Sequence, residues 1–285
     1  MGKRDIQLRI KSVKETRKIT RAMNLISAAK FRKAKLMLDN VRPYYERIQS
    51  TMEDILIHSG EATSHYFERQ HEAKGARKKA VIVVTGDKGL CGGYNHNVIK
   101  QAEEVIDGDT QNLMVIGEVG RSYFLNKGYN VDVEFLYTAQ NPTTSAAGEI
   151  SDLLVDIYDR GIIDDIYAVY TEMVGLRQIV RTIKILPLDI KNFNSDKDVK
   201  ILSDMIYDPS PTKVFNLLVP EYIKGIVYSL LVNAFASEHF SRMVAMDGAT
   251  SNADKMIAKY TLEYNRLRQA SITQELSEII GGSSV

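Results

Sequence analysis

One cysteine, Cys91, is all that this chain contains. A lone thiol excludes an internal disulfide framework and any zinc site built on several cysteines. The chain therefore reads as a protein of a reducing compartment. Apolar runs are short as well: no stretch approaches the roughly 20 residues a bilayer-spanning helix needs. The opening MGKRDIQLRI lacks the apolar core of a secretory signal, and the acidic Asp5 and Glu15 argue against a transit peptide. A soluble chain without a targeting segment is the expectation.

Glycine and proline are missing from two long windows. Lys3 to Ser59 holds no glycine and one proline, Pro43; Glu221 to Ile280 holds no proline and two glycines, Gly225 and Gly248. Both are rich in the residues that lose least on entering a helix. At ~1.5 Å per residue each would be about 85–90 Å long, too long for a globule of this size unless the two pair with each other. Their apolar stripes agree, with slips. Ile6, Ile10 and Val13 are followed by Arg17 and Thr20, where Ile19, Met23 and Ile26 carry the stripe one position earlier. Phe31, Ala34, Leu38, Val41, Tyr45, Ile48, Met52 and Ile55 resume it. In the second window Ile223, Val227, Leu230 and Ala234 give way to small residues, then Ala258 and Leu262, then Ile272, Leu276 and Ile279. Such slips are stutters of an antiparallel coiled coil. Its seam is expected to use Ala22, Ser27, Ala28, Ala29 and Ala34 against Ala234, Ser237, Ser241, Ala245, Gly248 and Ala249. Pro43 is expected to kink the first helix or open its pairing.

Between the windows the pattern changes. Residues 59–79 read as a polar loop. In 80–190 the apolar runs 80–84, 113–116, 131–136, 166–170 and 180–186 read as strands, and 95–106, 119–127 and 144–160 as helices. Alternation of this kind implies a largely parallel sheet with right-handed crossovers, the last two strands closing as a hairpin around Gly175. The expected division is 1–58 (N-terminal helix), 59–79 (linker), 80–190 (α/β domain), 191–220 (irregular return) and 221–285 (C-terminal helix). The fold class is α/β plus a long antiparallel coiled coil, the paired terminal helices carrying an inserted Rossmann-like α/β domain.

Charge is unevenly placed. Residues 1–36 hold twelve basic and two acidic side chains in a chain whose overall net charge is only +1. Such polarity implies an oppositely charged partner near the N-terminus. An arm gripping a nucleic-acid backbone is one reading, because ten net positive charges would release condensed counterions. Against it, residues 1–30 carry no aromatic side chain for base stacking. A helix pair threaded through an acidic or polar protein cavity is another, and a solvated charged face the plainest.

Candidate chemistry is sparse. TGDKGLCGGYN (85–95) follows the first strand, but its glycines at 86, 89, 92 and 93 fit neither the P-loop nor the dinucleotide spacing. Cys91 with His96 is a weak nucleophile pair against an inert buried thiol. The carboxylate pairs Glu103–Glu104 and Asp164–Asp165 read as solvated surface. No histidine–carboxylate spacing suits a metal, and neither a catalytic site nor a cofactor is expected.

The segments 10–35 (IKSVKETRKITRAMNLISAAKFRKAK), 86–95 (GDKGLCGGYN), 236–246 (ASEHFSRMVAM) and 264–282 (YNRLRQASITQELSEIIGG) together resemble the γ subunits of F-type ATP synthases, along essentially the whole chain. The I-T-x-E-x-x-E block from Ile272 to Glu278 is the most specific piece, and Ser283 departs from the alanine more usual there. The two-cysteine regulatory insert of chloroplast members is absent. What the resemblance implies is a non-catalytic rotor shaft, one copy per complex, its paired termini inside a ring of three α and three β subunits. Its other end would join the ε subunit and the c-ring, peripheral to the cytoplasmic face of a bacterial cell membrane, without inserting into it. It would couple proton or sodium flow to ATP synthesis or hydrolysis, with no nucleic acid involved. By the same resemblance Met23, Lys30, Arg32, Arg242, Gln269, Thr273 and Glu275 match contacts with the α/β ring, and Tyr207 and Asp208 match contacts with ε and the c-ring.

Overall fold

A computed structural model of the chain describes residues 2–59, 64–67, 77–132, 134–193 and 207–282. Ser283 and His71 lie outside the described residues. The elements in chain order are α1 (Lys3–Ser59), β1 (Lys79–Val84), α2 (Tyr94–Val105), β2 (Thr110–Ile116), α3 (Glu118–Asn126), α4 (Thr144–Asp159), β3 (Asp165–Val174), β4 (Arg177–Leu186) and α5 (Pro211–Gly282). They form two compact units: Met1–Ala29 with Phe240–Val285, and Lys30–His239. The long helices contribute residues to both.

The larger unit is built on a four-stranded sheet of order β2-β1-β3-β4. β1 pairs parallel with β2 and β3, and β3 pairs antiparallel with β4. Gly175, at φ 65°, makes the hairpin turn. β1 is apolar at every position after Lys79 because both faces of the sheet are covered. Val81 and Val83 pack with Val98, Ile99, Ala102, Leu113, Val115 and Phe124, under α2 and α3. Ala80, Ile82 and Val84 pack into the larger core, with Ile150 and Leu154 of α4, Ile48, Met52 and Ile55 of α1, and Ile223, Val227 and Leu230 of α5. The Thr143 hydroxyl caps α4 by accepting from the Ala146 N–H at 3.1 Å. The run 131–136 does not become a strand. Among the described residues only Val131 joins the sheet, through a single bridge to Leu113; the charged Asp132 and Glu134 interrupt it.

Three further expectations give way in this unit. α5 begins at Pro211, so the last ten residues of the expected irregular return are helical, with Pro220 inside the helix. The described part of the linker is not polar loop: Tyr66 and Phe67 are buried, and Phe67 lies 5.1 Å from the Phe215 ring. Asp165 is buried between Arg77 and Lys184, 3.0 Å from the Lys184 ammonium, rather than on a solvated face. α1 also passes through Pro43 without a break: Leu38 and Val41 before it and Tyr45 after it all pack against the core, the Tyr45 ring lying against Gly225. Over one 18-residue window α5 is long and apolar enough to cross a membrane by composition alone, which the sequence reading did not anticipate; 44% of that window is buried inside the protein.

The smaller unit is an antiparallel helix pair. Three contacts fix its direction: the Arg17 Nη1–Asp254 Oδ1 ion pair at 2.8 Å, the Thr20–Thr250 hydroxyl pair at 2.8 Å, and the Asn24 Nδ2 donor to the Met243 carbonyl at 2.9 Å. The seam thus continues straight from Ile6, Ile10 and Val13 through Arg17 and Thr20 instead of shifting to Ile19 and Ile26. Those two side chains are exposed, as are Ala22, Ala29 and Gly248 of the expected small-residue seam and Ala258 and Leu262 of the second stripe. The seam recurs every seven residues at Ile6, Val13, Thr20 and Ser27, the 3.5-residue period of two supercoiled helices, so the buried stripe passes through whatever residues occupy it.

Candidate functional site

The helix pair inverts the usual distribution of a small coiled coil. Its seam is partly polar, with Thr20 and Ser27 buried, while Leu8, Ile19, Leu25 and Ile26 of α1 are each more than half exposed. On α5, Leu262, Leu276 and Ile279 are likewise exposed. Exposed apolar side chains in such number mark a surface made for contact. It is also cationic: residues 1–29 carry eight basic and two acidic side chains and residues 240–285 five of each, a net charge of +6.

The matched residues fall in different places. Met23 and Arg242 flank the Asn24–Met243 bond, which sets the turn carrying one opposite the turn carrying the other. Met23 is half-buried and Arg242 is 7% exposed. Gln269, Thr273 and Glu275 are exposed near the end of α5. The Thr273 hydroxyl donates to the Gln269 backbone carbonyl at 2.9 Å, and Ser271 donates to Glu275 Oε1 at 3.1 Å, so the Thr273 and Glu275 side chains are held along their own helix. Lys30 and Arg32 belong to the larger unit. The Lys30 ammonium sits 6.0 Å from the Phe235 ring centroid, and Arg32 is exposed. Tyr207 and Asp208 precede α5 in the same unit; burial, then the Asp54 charge, hold the Tyr207 phenol above its ordinary pKa.

The glycine-rich loop is filled from within. Asp87 takes the place an anionic ligand would take at the N-terminus of α3: Oδ1 accepts from the Glu118 N–H at 3.1 Å, while Oδ2 accepts from Thr138 at 2.7 Å. Gly86 is closed in by Glu238, whose carboxylate carbon would lie 2.9 Å from a Cβ added there. The Cys91 thiol is buried, 3.4 Å from the Asn95 amide, and His96 is exposed. Gly117, at φ +94°, lets the start of α3 close against the Thr85 carbonyl, where any Cβ would collide. This loop is a packing device. Among the described residues no group of His, Cys, Asp and Glu is placed to hold a metal ion.

Sequence reasoning missed the buried polar row Ser237, Glu238 and His239 on α5. Ser237 was read only as a small seam residue, yet its hydroxyl donates to the Thr171 carbonyl at 3.1 Å and its carbonyl accepts from Gln178. Three consecutive polar residues inside an otherwise apolar helical window were the available signal.

Fold and surface together define a two-helix protein carrying an inserted, doubly covered α/β domain, with the apolar side chains of its helix pair turned outward. The ATP synthase family matches residues 2–285. The ATP synthase gamma chain of Caldanaerobacter subterraneus subsp. tengcongensis is 63% identical, with 100% of both chains covered. That of Ruminiclostridium cellulolyticum is 48% identical, covering 99% of this chain and 97% of the relative. A sodium-ion-specific ATP synthase gamma chain of Acetobacterium woodii is 37% identical, covering 98% and 97%. Among solved structures, a chain of the Euglena gracilis mitochondrial ATP synthase OSCP/F1/c-ring assembly matches with a TM-score of 0.65 at 16% identity, covering 99% of this chain and 93% of that one. This last likeness speaks for the fold. The chain belongs to the family of ATP synthase gamma chains, and nothing in these comparisons supports the nucleic-acid arm.

Proposed function

We propose that this chain is the central rotor shaft of an F-type ATP synthase, a non-catalytic subunit present once per complex. It passes torque between an ion-driven c-ring and a hexamer of three α and three β subunits, and so couples proton or sodium translocation to ATP synthesis or hydrolysis. The observation that carries this reading is the outward apolar and cationic surface of the helix pair, which burial inside a surrounding protein ring would cover. A shaft with a different face toward each β subunit shifts the balance of their open and closed forms by its differential contacts.

In this reading Met23, Lys30, Arg32, Arg242, Gln269, Thr273 and Glu275 contact the α/β ring, while Tyr207 and Asp208 contact ε and the c-ring. Guanidinium groups such as that of Arg242 offer fixed donor geometry to a contact that must form and release at defined angles. The complex lies against the cytoplasmic face of the membrane, with this chain peripheral to it.

The test is the native mass of what co-purifies with the chain from its own membranes, with ATP binding measured on the isolated chain. One copy with three α and three β subunits, and no ATP on the free chain, is the expected result. A chain that purifies alone, carries RNA, or holds stoichiometric ATP overturns the proposal.

A further inference from the structure

Gly86 is tied to three helices at once. Its N–H donates to Asn95 Oδ1 of α2 at 2.8 Å, and its carbonyl accepts from the Val119 N–H of α3 at 3.1 Å. Its open Cα face lies under the Glu238 side chain of α5: an added Cβ would be 2.9 Å from Glu238 Cδ and 3.1 Å from each carboxylate oxygen. One residue earlier on α5, Ser237 is held by the backbone of β3 and the Gln178 side chain of β4. Glu238 and His239 are 5% and 6% exposed, and the His239 ring meets Phe235 edge-on at 4.5 Å.

Burying consecutive polar side chains on a helix is costly unless they are partnered, and it contributes less stability than an apolar turn packed on the same sheet. What it supplies is registry. Apolar packing is directionless and fixes a helix by shape alone, whereas a carboxylate seated on a bare glycine and a hydroxyl bonded to a strand carbonyl add contacts that one register satisfies.

We infer that Ser237 and Glu238, seated on Thr171, Gln178 and Gly86, are the clamp that fixes the rotational position of α5 on the α/β domain, so that torque passes between them without slip. These are positioning residues, and the inference rests on the rotor-shaft reading. Bare glycine at position 86 is part of the device, since any side chain there displaces the carboxylate.

The experiment uses the assembled synthase in sealed vesicles carrying Gly86→Ala, Glu238→Ala or both, with ATP hydrolysis and ATP-driven ion pumping measured on the same preparation. Each single variant should lower ions pumped per ATP hydrolysed by roughly two-fold or more, the change that a pairwise coupling at the low end of its usual range produces. The double variant should recover part of the loss, because the methyl group enters the space the carboxylate leaves. Glu238→Asp, which withdraws the carboxylate by one methylene, serves if Glu238→Ala fails to assemble; it should likewise restore Gly86→Ala. Single variants with an unchanged ratio, or a double variant no better than the worse single one, overturn the clamp. Failure of the unsubstituted complex to pump would instead count against the rotor-shaft reading itself.

Discussion

Arg17 and Asp254 form an ion pair of 2.8 Å at a position on the helix pair where a self-sufficient coiled coil would bury two apolar side chains. With side chains 41% and 55% exposed, the pair adds at most about 1 kcal/mol. Next to it, Thr20 meets Thr250 and Asn24 meets Met243, so this seam holds direction and register more than it supplies stability. A helix pair of this kind gains most when something else covers its outward leucines and isoleucines.

The seam hydroxyls give a direct check. Thr20→Val should cost up to about 1 kcal/mol, since it removes the cross-seam partner of Thr250 and leaves that hydroxyl only the Met246 carbonyl at 2.8 Å, whereas Thr20→Val with Thr250→Val should be neutral or stabilising because both polar groups leave together. Thermal unfolding of the full chain reads the difference. Equal losses in the two variants would show that the hydroxyl pair carries no coupling.

Gly117→Ala should destabilise the larger unit by roughly 3 kcal/mol, the range of changes that force strain at a special backbone position. At φ +94° the new methyl group is driven into the Thr85 carbonyl. Urea unfolding should show a lower midpoint with an unchanged slope, and a wild-type midpoint would contradict the close approach of Gly117 to Thr85.

Gln269→Ala and Arg242→Ala should part company. Gln269 is exposed, and the bond it accepts from Thr273 is to its backbone carbonyl, which alanine keeps. Its replacement should leave the unfolding midpoint of the isolated chain unchanged while lowering coupled turnover of the complex roughly three- to ten-fold. Arg242 is 7% exposed, so its replacement should lower turnover and also destabilise the fold, by about 1–3 kcal/mol, moving the midpoint down. Normal turnover in the Gln269 variant would remove it from the contact set.

Alkaline stability should depend on Tyr45. Burial, then the Glu221 carboxylate, pushes its phenol up from 10.0 to about 12. Burial, then Glu172, does the same for Tyr170, also to about 12. A folded-state value above the unfolded one means that the folded chain keeps the proton longer. The contribution is therefore complete below pH 10.0 and is lost as pH rises toward about 12. Tyr45→Phe keeps the ring on Gly225 and should flatten part of that loss. Unfolding midpoints followed by circular dichroism across this window make the comparison, and identical pH profiles for the two proteins would refute it.

The secondary structure was legible where composition leaves little choice. Windows with almost no glycine or proline became α1 and α5, and apolar runs at 80–84, 113–116, 166–170 and 180–186 became strands because a doubly covered sheet needs continuous apolar character. The matched contact residues were legible only through resemblance, since an exposed Gln269 or Glu275 has no signature of its own. Tertiary structure decided which face of α1 is buried: Arg17 and Thr20 lie in the seam and Ile19 and Ile26 outside it, because the partner helix follows the seven-residue supercoil repeat and not hydropathy. It also decided that the segment before Glu221 is helical from Pro211 on, because its Phe215 and Val219 are buried in the larger core. Above all it joined Gly86 to Glu238. Local pattern reaches only a few residues along the chain, and the value of a bare Cα at one position depends on a carboxylate that the fold brings there from another helix.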